Sequence, residues 1–224
     1  MGFLYELFGS LLHFIYTIVG NYGVSIIIFS IIAKLILLPI TLKQTKSMQS
    51  MNKLQPEIQK LQKKYGNNKE KLNEETMKLY KEHNANPLGG CLPLLIQFPI
   101  IIGLFTVLRE PEAYVFLDGA FAAVDKVFLW LPDLSEPDPL RILPILAAVA
   151  TYLSMTNTPT AQSSGNDQAM AMTNSMKFVS PLMIGFFAWT FPSGLALYWV
   201  MQSVLTYIQQ AVTLKLTSTK EGDK

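Results

Sequence analysis

The chain has 224 residues, half of them apolar and only 15% charged, with a net charge of +2. A soluble domain carries about a quarter charged residues, so this composition excludes an ordinary soluble protein and a disordered one, and the small net charge leaves no nucleic-acid footprint. One cysteine, Cys91, and two histidines far apart in sequence, His13 and His83, exclude a disulfide scaffold, a thiolate metal cluster and a His-rich metal motif.

An all-α polytopic membrane protein remains, and its elements follow in chain order. Residues 3–20 carry Leu4, Leu7, Leu11, Phe14 and Ile18 at helical spacing, with Glu6 and His13 among them. There is no basic leading region and no small-residue cleavage site, so the segment reads as an amphipathic helix lying in the membrane interface rather than a signal peptide. Five apolar windows approach the roughly 20 residues that a spanning helix needs. They fall at 24–42, 91–108, 140–155, 178–191 and 195–214. The linker Phe191-Pro192-Ser193-Gly194 allows only a tight turn, so the fourth and fifth windows form a hairpin. The implied organisation is 1–22 for the interfacial helix, 23–42 for the first span and 43–90 for a polar helical hairpin. The second span at 91–108 precedes a loop at 109–139, and the third span at 140–156 precedes a loop at 157–177. The last two spans lie at 178–191 and 195–214, followed by a tail at 215–224.

Ten basic residues lie between Lys43 and Lys81, whereas the loop from Arg109 to Asp138 holds seven acids and two bases. The positive-inside rule puts the first segment in the cytoplasm and the acidic loop outside. The N-terminus is then outside and the C-terminus inside. Within the cytoplasmic segment, Met48, Met51, Leu54, Ile58, Leu61 and Tyr65 recur at steps of 3 and 4, as do Leu72, Thr76, Leu79 and His83. Gly66-Asn67-Asn68 between them is a turn signal. Two amphipathic helices in a hairpin follow. The apolar face either packs on itself or receives an incoming chain, a lipid surface or the ribosome, and the methionines suit such an adaptable surface.

Lys34 is the costly residue. It lies ten residues after Val24 and nine before Lys43, or about 13–15 Å from either end of its window. That is beyond the reach of a lysine stem. Insertion of such a residue costs about 2.5–3.5 kcal/mol, and no window contains an acid to neutralise it. Lys34 therefore faces water, backbone carbonyls or a polar cavity, or gives up its proton. Ser30, Lys34 and Thr41 share one face of the first span. Trp199, Gln202, Ser203, Thr206, Gln209, Gln210 and Thr213 form a polar stripe on the fifth, and Gln97 adds an amide from the second. A fixed positive charge among neutral hydrogen-bonding walls should attract an acidic, hydrated segment.

Enzymatic readings fail on the same residues. Ser193-Gly194 superficially resembles a nucleophile turn, but neither histidine lies at that depth. HExxH, P-loop and glycine-rich nucleotide motifs are absent. Leu88-Gly89-Gly90-Cys91 mimics a lipoprotein cleavage box with no signal segment before it, and Gly89 and Gly90 instead suit close backbone approach.

Three stretches carry a resemblance. NPLGGCLPLLIQFP at 86–99, FPSGLALYW at 191–199, and the Lys34 segment ending in Leu38-Pro39 and followed by Gln55-Pro56 are similar to the YidC/Oxa/Albino membrane insertases. The likeness spans roughly 4–216 and matches the short Gram-positive form. It implies five core helices around a hydrophilic groove open to cytoplasm and lipid and closed outside, in the bacterial cytoplasmic membrane. It implies that Lys34 occupies a groove position usually held by arginine, that Ser30 and Trp199 contact substrate, and that Gln97 lines the groove. Lysine keeps the charge but not the planar fork of donors. On this footing the chain acts as a monomer without cofactor or nucleotide hydrolysis, inserting small acidic-tailed proteins of one or two spans. Substrates leave along the first, third and fifth helices into lipid, and the ribosome and Sec translocon are further candidate partners. The alternatives are a Sec-associated chaperone for transmembrane helices and a small-solute channel.

Overall fold

The computed structural model describes residues 2–83, 85, 92–117, 119, 121, 124–157 and 167–222. The described residues are all-α apart from an isolated antiparallel bridge between Phe128 and Leu131. The helices are α1 (Gly2–Val19), α2 (Tyr22–Lys53), α3 (Gln55–Tyr65), α4 (Lys69–Glu82), α5 (Leu92–Arg109), α6 (Pro111–Tyr114), α7 (Ile142–Asn157), α8 (Asp167–Thr190) and α9 (Ser193–Gly222). By length and composition α1 and α2 suffice to cross a membrane, and Leu95–Arg109 and Ile142–Thr156 are shorter apolar stretches.

Several boundaries differ from the sequence expectation, each for a local reason. α2 does not stop at the first lysines but runs on to Lys53. Lysine, glutamine and methionine are good helix formers, and the stop comes only where Pro56 starts α3. Met48 and Met51 therefore belong to the end of α2. α8 begins at Asp167, well before its apolar window, so part of the expected 157–177 loop is helical. α9 runs past residue 214 to Gly222. The turn at 66–68 is where the sequence put it. The Asn68 side chain caps α4 by accepting from the Lys71 amide at 3.0 Å. The expected role of Gly89 and Gly90 lies outside the described residues.

α1 turns into α2 through Gly20, whose φ of +70° favours glycine, and Asn21 caps α2 by accepting from the Val24 amide at 3.0 Å. Gly9, Leu12 and Ile15 are the buried face of α1, whereas Leu7, Phe14 and Ile18 of the expected stripe are exposed. Leu4 and Leu11 are half-buried, Leu11 against the core, so the stripe straddles the edge of the packing face. The packing face is set by Gly9, where a β-carbon would overlap the Tyr114 carbonyl. Gly9→Ala is expected to push α1 off this contact and to destabilise the protein by about 1–3 kcal/mol. A lowered thermal midpoint in detergent is the check.

α8, α7, α9 and α2 pack side by side in that order, and α1 joins α2 to α5. Among the described residues α5 touches α9 and α2 only lightly and has no extended packing on α8 beyond Phe105 against Phe191 at its end. The helices thus form an open ring with a seam between its two ends. The main core gathers Tyr22, Ile26 and Phe29 of α2, Leu104 and Leu108 of α5, Leu195 and Tyr198 of α9, and Leu131 and Leu134 of the loop after α6. A second, smaller core belongs to the hairpin: Met51, Leu54, Ile58, Leu79, Tyr80 and Ala85.

Candidate functional site

The bundle's polar side chains meet along α9. Lys34 is half-buried, and its Nζ donates to Thr206 Oγ1 at 2.7 Å. Two turns further along, Thr41 of α2 and Gln209 of α9 bond, with the amide nitrogen 3.1 Å from the hydroxyl. Toward the other end, Ser203 lies 3.2 Å from Thr151 of α7. Gln97 of α5 donates to the Tyr198 hydroxyl at 2.8 Å, and Gln202 lies beside the same hydroxyl. The Gln202 amide nitrogen is buried without a hydrogen-bond partner among the described residues. Lys34 has no carboxylate within ion-pair range among them. Its charge is thus held by one hydroxyl dipole and open to a further anionic partner.

The expected groove residues divide on this geometry. Lys34, Gln97, Gln202, Ser203 and Thr206 belong to the chain of polar contacts. Ser30 does not reach it, because its hydroxyl is wholly buried and donates to the Ile26 carbonyl of its own helix at 2.7 Å. Trp199 is only 8% exposed and stacks on Phe191. The sequence reading missed Tyr198 and Thr151. The series 198, 202, 206, 209 steps by 4, 4 and 3, a helical face that the stripe begun at Trp199 obscured.

The loop after α6 folds over the start of α9, where the Ser193 and Gly194 amides donate to the Glu136 and Leu134 carbonyls at 2.8 and 2.9 Å. The Ser193 hydroxyl donates to the Asp133 carbonyl at 3.2 Å, so it is turn chemistry. The wholly buried Asp138 carboxylate gathers the Trp130 indole and the Leu140 and Leu143 amides.

At the hairpin, Met51, Leu54 and Ile58 are buried in its own core and Leu61 packs against it. These side chains hold α3 to α4 rather than presenting a free surface. Met48 is half-buried, and Tyr65 at the tip lies under the ammonium groups of Lys64 and Lys71. On α4, Glu74 and Glu75 hold Lys78 above its ordinary lysine range, and Lys78 holds Glu74 below its usual carboxylate range. Both groups are fully solvated, so the pair adds little to stability.

Comparison with known proteins points to one family. The sequence profile described as "60Kd inner membrane protein" matches residues 14–221. The chain is 43% identical over 219 residues to a membrane protein insertase YidC of Fusobacterium nucleatum, covering 96% of this chain and 98% of the relative. It is 45% identical to the YidC insertase of Clostridium perfringens, over 93% of this chain and 84% of that one. The YidC insertase of Haemophilus influenzae strain PittEE is 40% identical over 89% of this chain, which spans 34% of that longer protein. Among solved structures, a crystal structure of an active YidC insertase with its first transmembrane domain resolved superposes with a TM-score of 0.65 at 32% identity, over 95% of this chain and 45% of that one.

Proposed function

This chain belongs to the YidC/Oxa family of membrane protein insertases, which are not enzymes, and we propose that it receives a substrate segment in the seam between α5 and α8, with Lys34 and the polar face of α9 as the inner wall. The single observation carrying this reading is the chain of polar contacts along α9, set in an otherwise apolar bundle and anchored on an ammonium without a carboxylate partner. α2, α5, α7, α8 and α9 are the spanning helices. The hairpin α3–α4 lies in the cytoplasm, the loop after α6 outside, the N-terminus outside and the C-terminus inside, as the charge distribution directs.

Insertion then needs no covalent step and no nucleotide. An acidic tail enters from the cytoplasm toward Lys34, and the unpaired Gln202 amide offers a donor to its backbone or carboxylates. The loop after α6 closes the outer end and holds the tail within the bilayer, so the low-dielectric distance left to cross is short. The apolar part of the substrate moves into lipid, driven by burial of roughly 0.8 kcal/mol per methylene. Exit along the first, third and fifth helices does not suit the packing, because α9 is flanked by α2 and α7. α5 and α8 border the seam and expose Leu95, Phe98, Leu182 and Phe186. Photo-crosslinkers at these four positions should capture an inserting single-span substrate more strongly than crosslinkers at Ile145 and Val149 of α7. Equal or stronger capture at α7 would move the exit away from the seam.

A further inference from the structure

The loop after α6 contains a turn whose tip, Val127 and Leu129, neither the core nor the polar seam uses. Phe128 and Leu131 exchange both backbone hydrogen bonds at 2.9 Å, closing a two-residue turn. Such turns favour glycine, asparagine or aspartate, which tolerate left-handed backbone. Here the position is Leu129, with φ at +56° and the side chain 71% exposed. Val127 beside it is also exposed. In water this is a poor choice on both counts. The backbone conformation conflicts with a branched side chain, and two large apolar groups stand unburied.

The surroundings supply the missing solvent. The ring of Phe128 fills the place where a β-carbon of Gly23 would stand, fixing the turn to the start of α2. Trp130, the other turn residue, donates its indole N–H to Asp138 at 3.2 Å, fixing it to the start of α7. From there Leu140, Ile142, Ile145, Leu146 and Val149 continue as an exposed apolar face down α7. At the same level the Arg141 guanidinium lies 4.9 Å from the centre of the half-exposed Trp189 ring and donates to the Trp189 carbonyl. Tryptophan and arginine at helix ends mark the headgroup layer. The turn is therefore pinned at that layer, beside a helix face that lipid covers.

We propose that the Phe128–Leu131 turn is a lipid-binding element that dips Val127 and Leu129 into the acyl boundary of the leaflet on that side, beside the start of α7. It would tie the sealing loop to the bilayer, so that the closed end of the bundle is held by lipid as well as by hydrogen bonds. This inference needs only that the chain is embedded in a membrane, and it stands or falls separately from the route taken by substrates.

The test uses the full chain carrying Cys91→Ser, reconstituted in phosphatidylcholine–phosphatidylglycerol vesicles. Single cysteines replace Leu129, Val127, Asp125 and Ile145 in turn and carry an environment-sensitive fluorophore. Asp125 is the aqueous reference and Ile145 the lipid reference. Emission at 129 and 127 should be blue-shifted toward that at 145 and quenched by shallow spin-labelled lipid far more than at 125. Leu129→Asn, which suits the left-handed conformation, should keep the fold in detergent while lowering shallow-lipid quenching of a probe at 127. Water-like emission at both 127 and 129 would overturn the proposal. A blue shift without lipid quenching would also overturn it, because a second copy or another protein would then cover the turn.

Discussion

Lys34→Ala is expected to lower the insertion of an acidic-tailed single-span protein by about tenfold or more, the scale of one lost charge-assisted interaction. Lys34→Arg should keep most of the activity. The assay is protease protection in vesicles that contain only this protein. Two mechanisms could produce such a loss, because Lys34 both carries the charge and joins α2 to α9 through Thr206 at 2.7 Å. Thr206→Val separates them. Valine keeps the shape but cannot accept a hydrogen bond, so it breaks the inter-helix contact and leaves the ammonium in place. If the charge attracts the substrate tail, Thr206→Val should insert at or above the wild-type rate, since the ammonium no longer has to leave a partner. If the contact between the helices is what matters, Thr206→Val should fail as badly as Lys34→Ala. A neutral-tailed substrate gives a second discrimination. Its insertion should fall much less in Lys34→Ala than that of the acidic one. Wild-type insertion of the acidic substrate by Lys34→Ala would remove electrostatic attraction from the account and leave the polarity and shape of the seam.

Much of the architecture was legible in the sequence because it rests on strong local signals. A lysine in mid-window with no acid nearby forces a polar environment, and Lys34 indeed finds the polar face of α9. The steps of 3 and 4 across residues 48–83 predict the hairpin, and Gly66-Asn67-Asn68 places its turn. What stayed hidden is decided by partners rather than by period. The stripe of α1 is real, but Gly9 against Tyr114 decides which side packs, and Leu7, Phe14 and Ile18 of the visible stripe turn outward. Ser30 shares a helical face with Lys34, yet its hydroxyl is satisfied four residues back within α2, a choice open to any serine in a helix. Tyr198 sits in an apolar run, and only the approach of Gln97 from α5 makes its hydroxyl a junction. The hairpin's apolar face gave no indication of whether it would be free. α4 supplies Leu79 and Tyr80 to cover it.

The second large effect should come from Asp138→Ala. This carboxylate is wholly buried, yet no cation neutralises it within the described residues. Lys126 instead approaches Asp133, at 3.7 Å, and Arg141 is turned toward Trp189. N–H dipoles take the cation's place: the Leu143 amide at 2.7 Å, the Leu140 amide at 3.0 Å and the Trp130 indole at 3.2 Å. Alanine would leave all three donors without an acceptor, at about 1–3 kcal/mol for each that stays buried. A loss of at least about 3 kcal/mol is therefore expected, read as a lowered unfolding midpoint in detergent by tryptophan fluorescence. Asp138→Asn retains one acceptor oxygen and should lose roughly half as much. The effect should not stay local. Asp138 fixes the loop whose Leu134 and Glu136 carbonyls accept from the first amides of α9, so releasing it loosens the seal over the polar seam. Vesicles containing Asp138→Ala should therefore leak small anions faster than wild-type vesicles, at temperatures where both proteins are folded. Unchanged stability would mean that water replaces the carboxylate without cost. Lost stability without leakage would mean that the Leu131 and Leu134 side chains, packed in the core, close this end without help from the hydrogen bonds at Asp138.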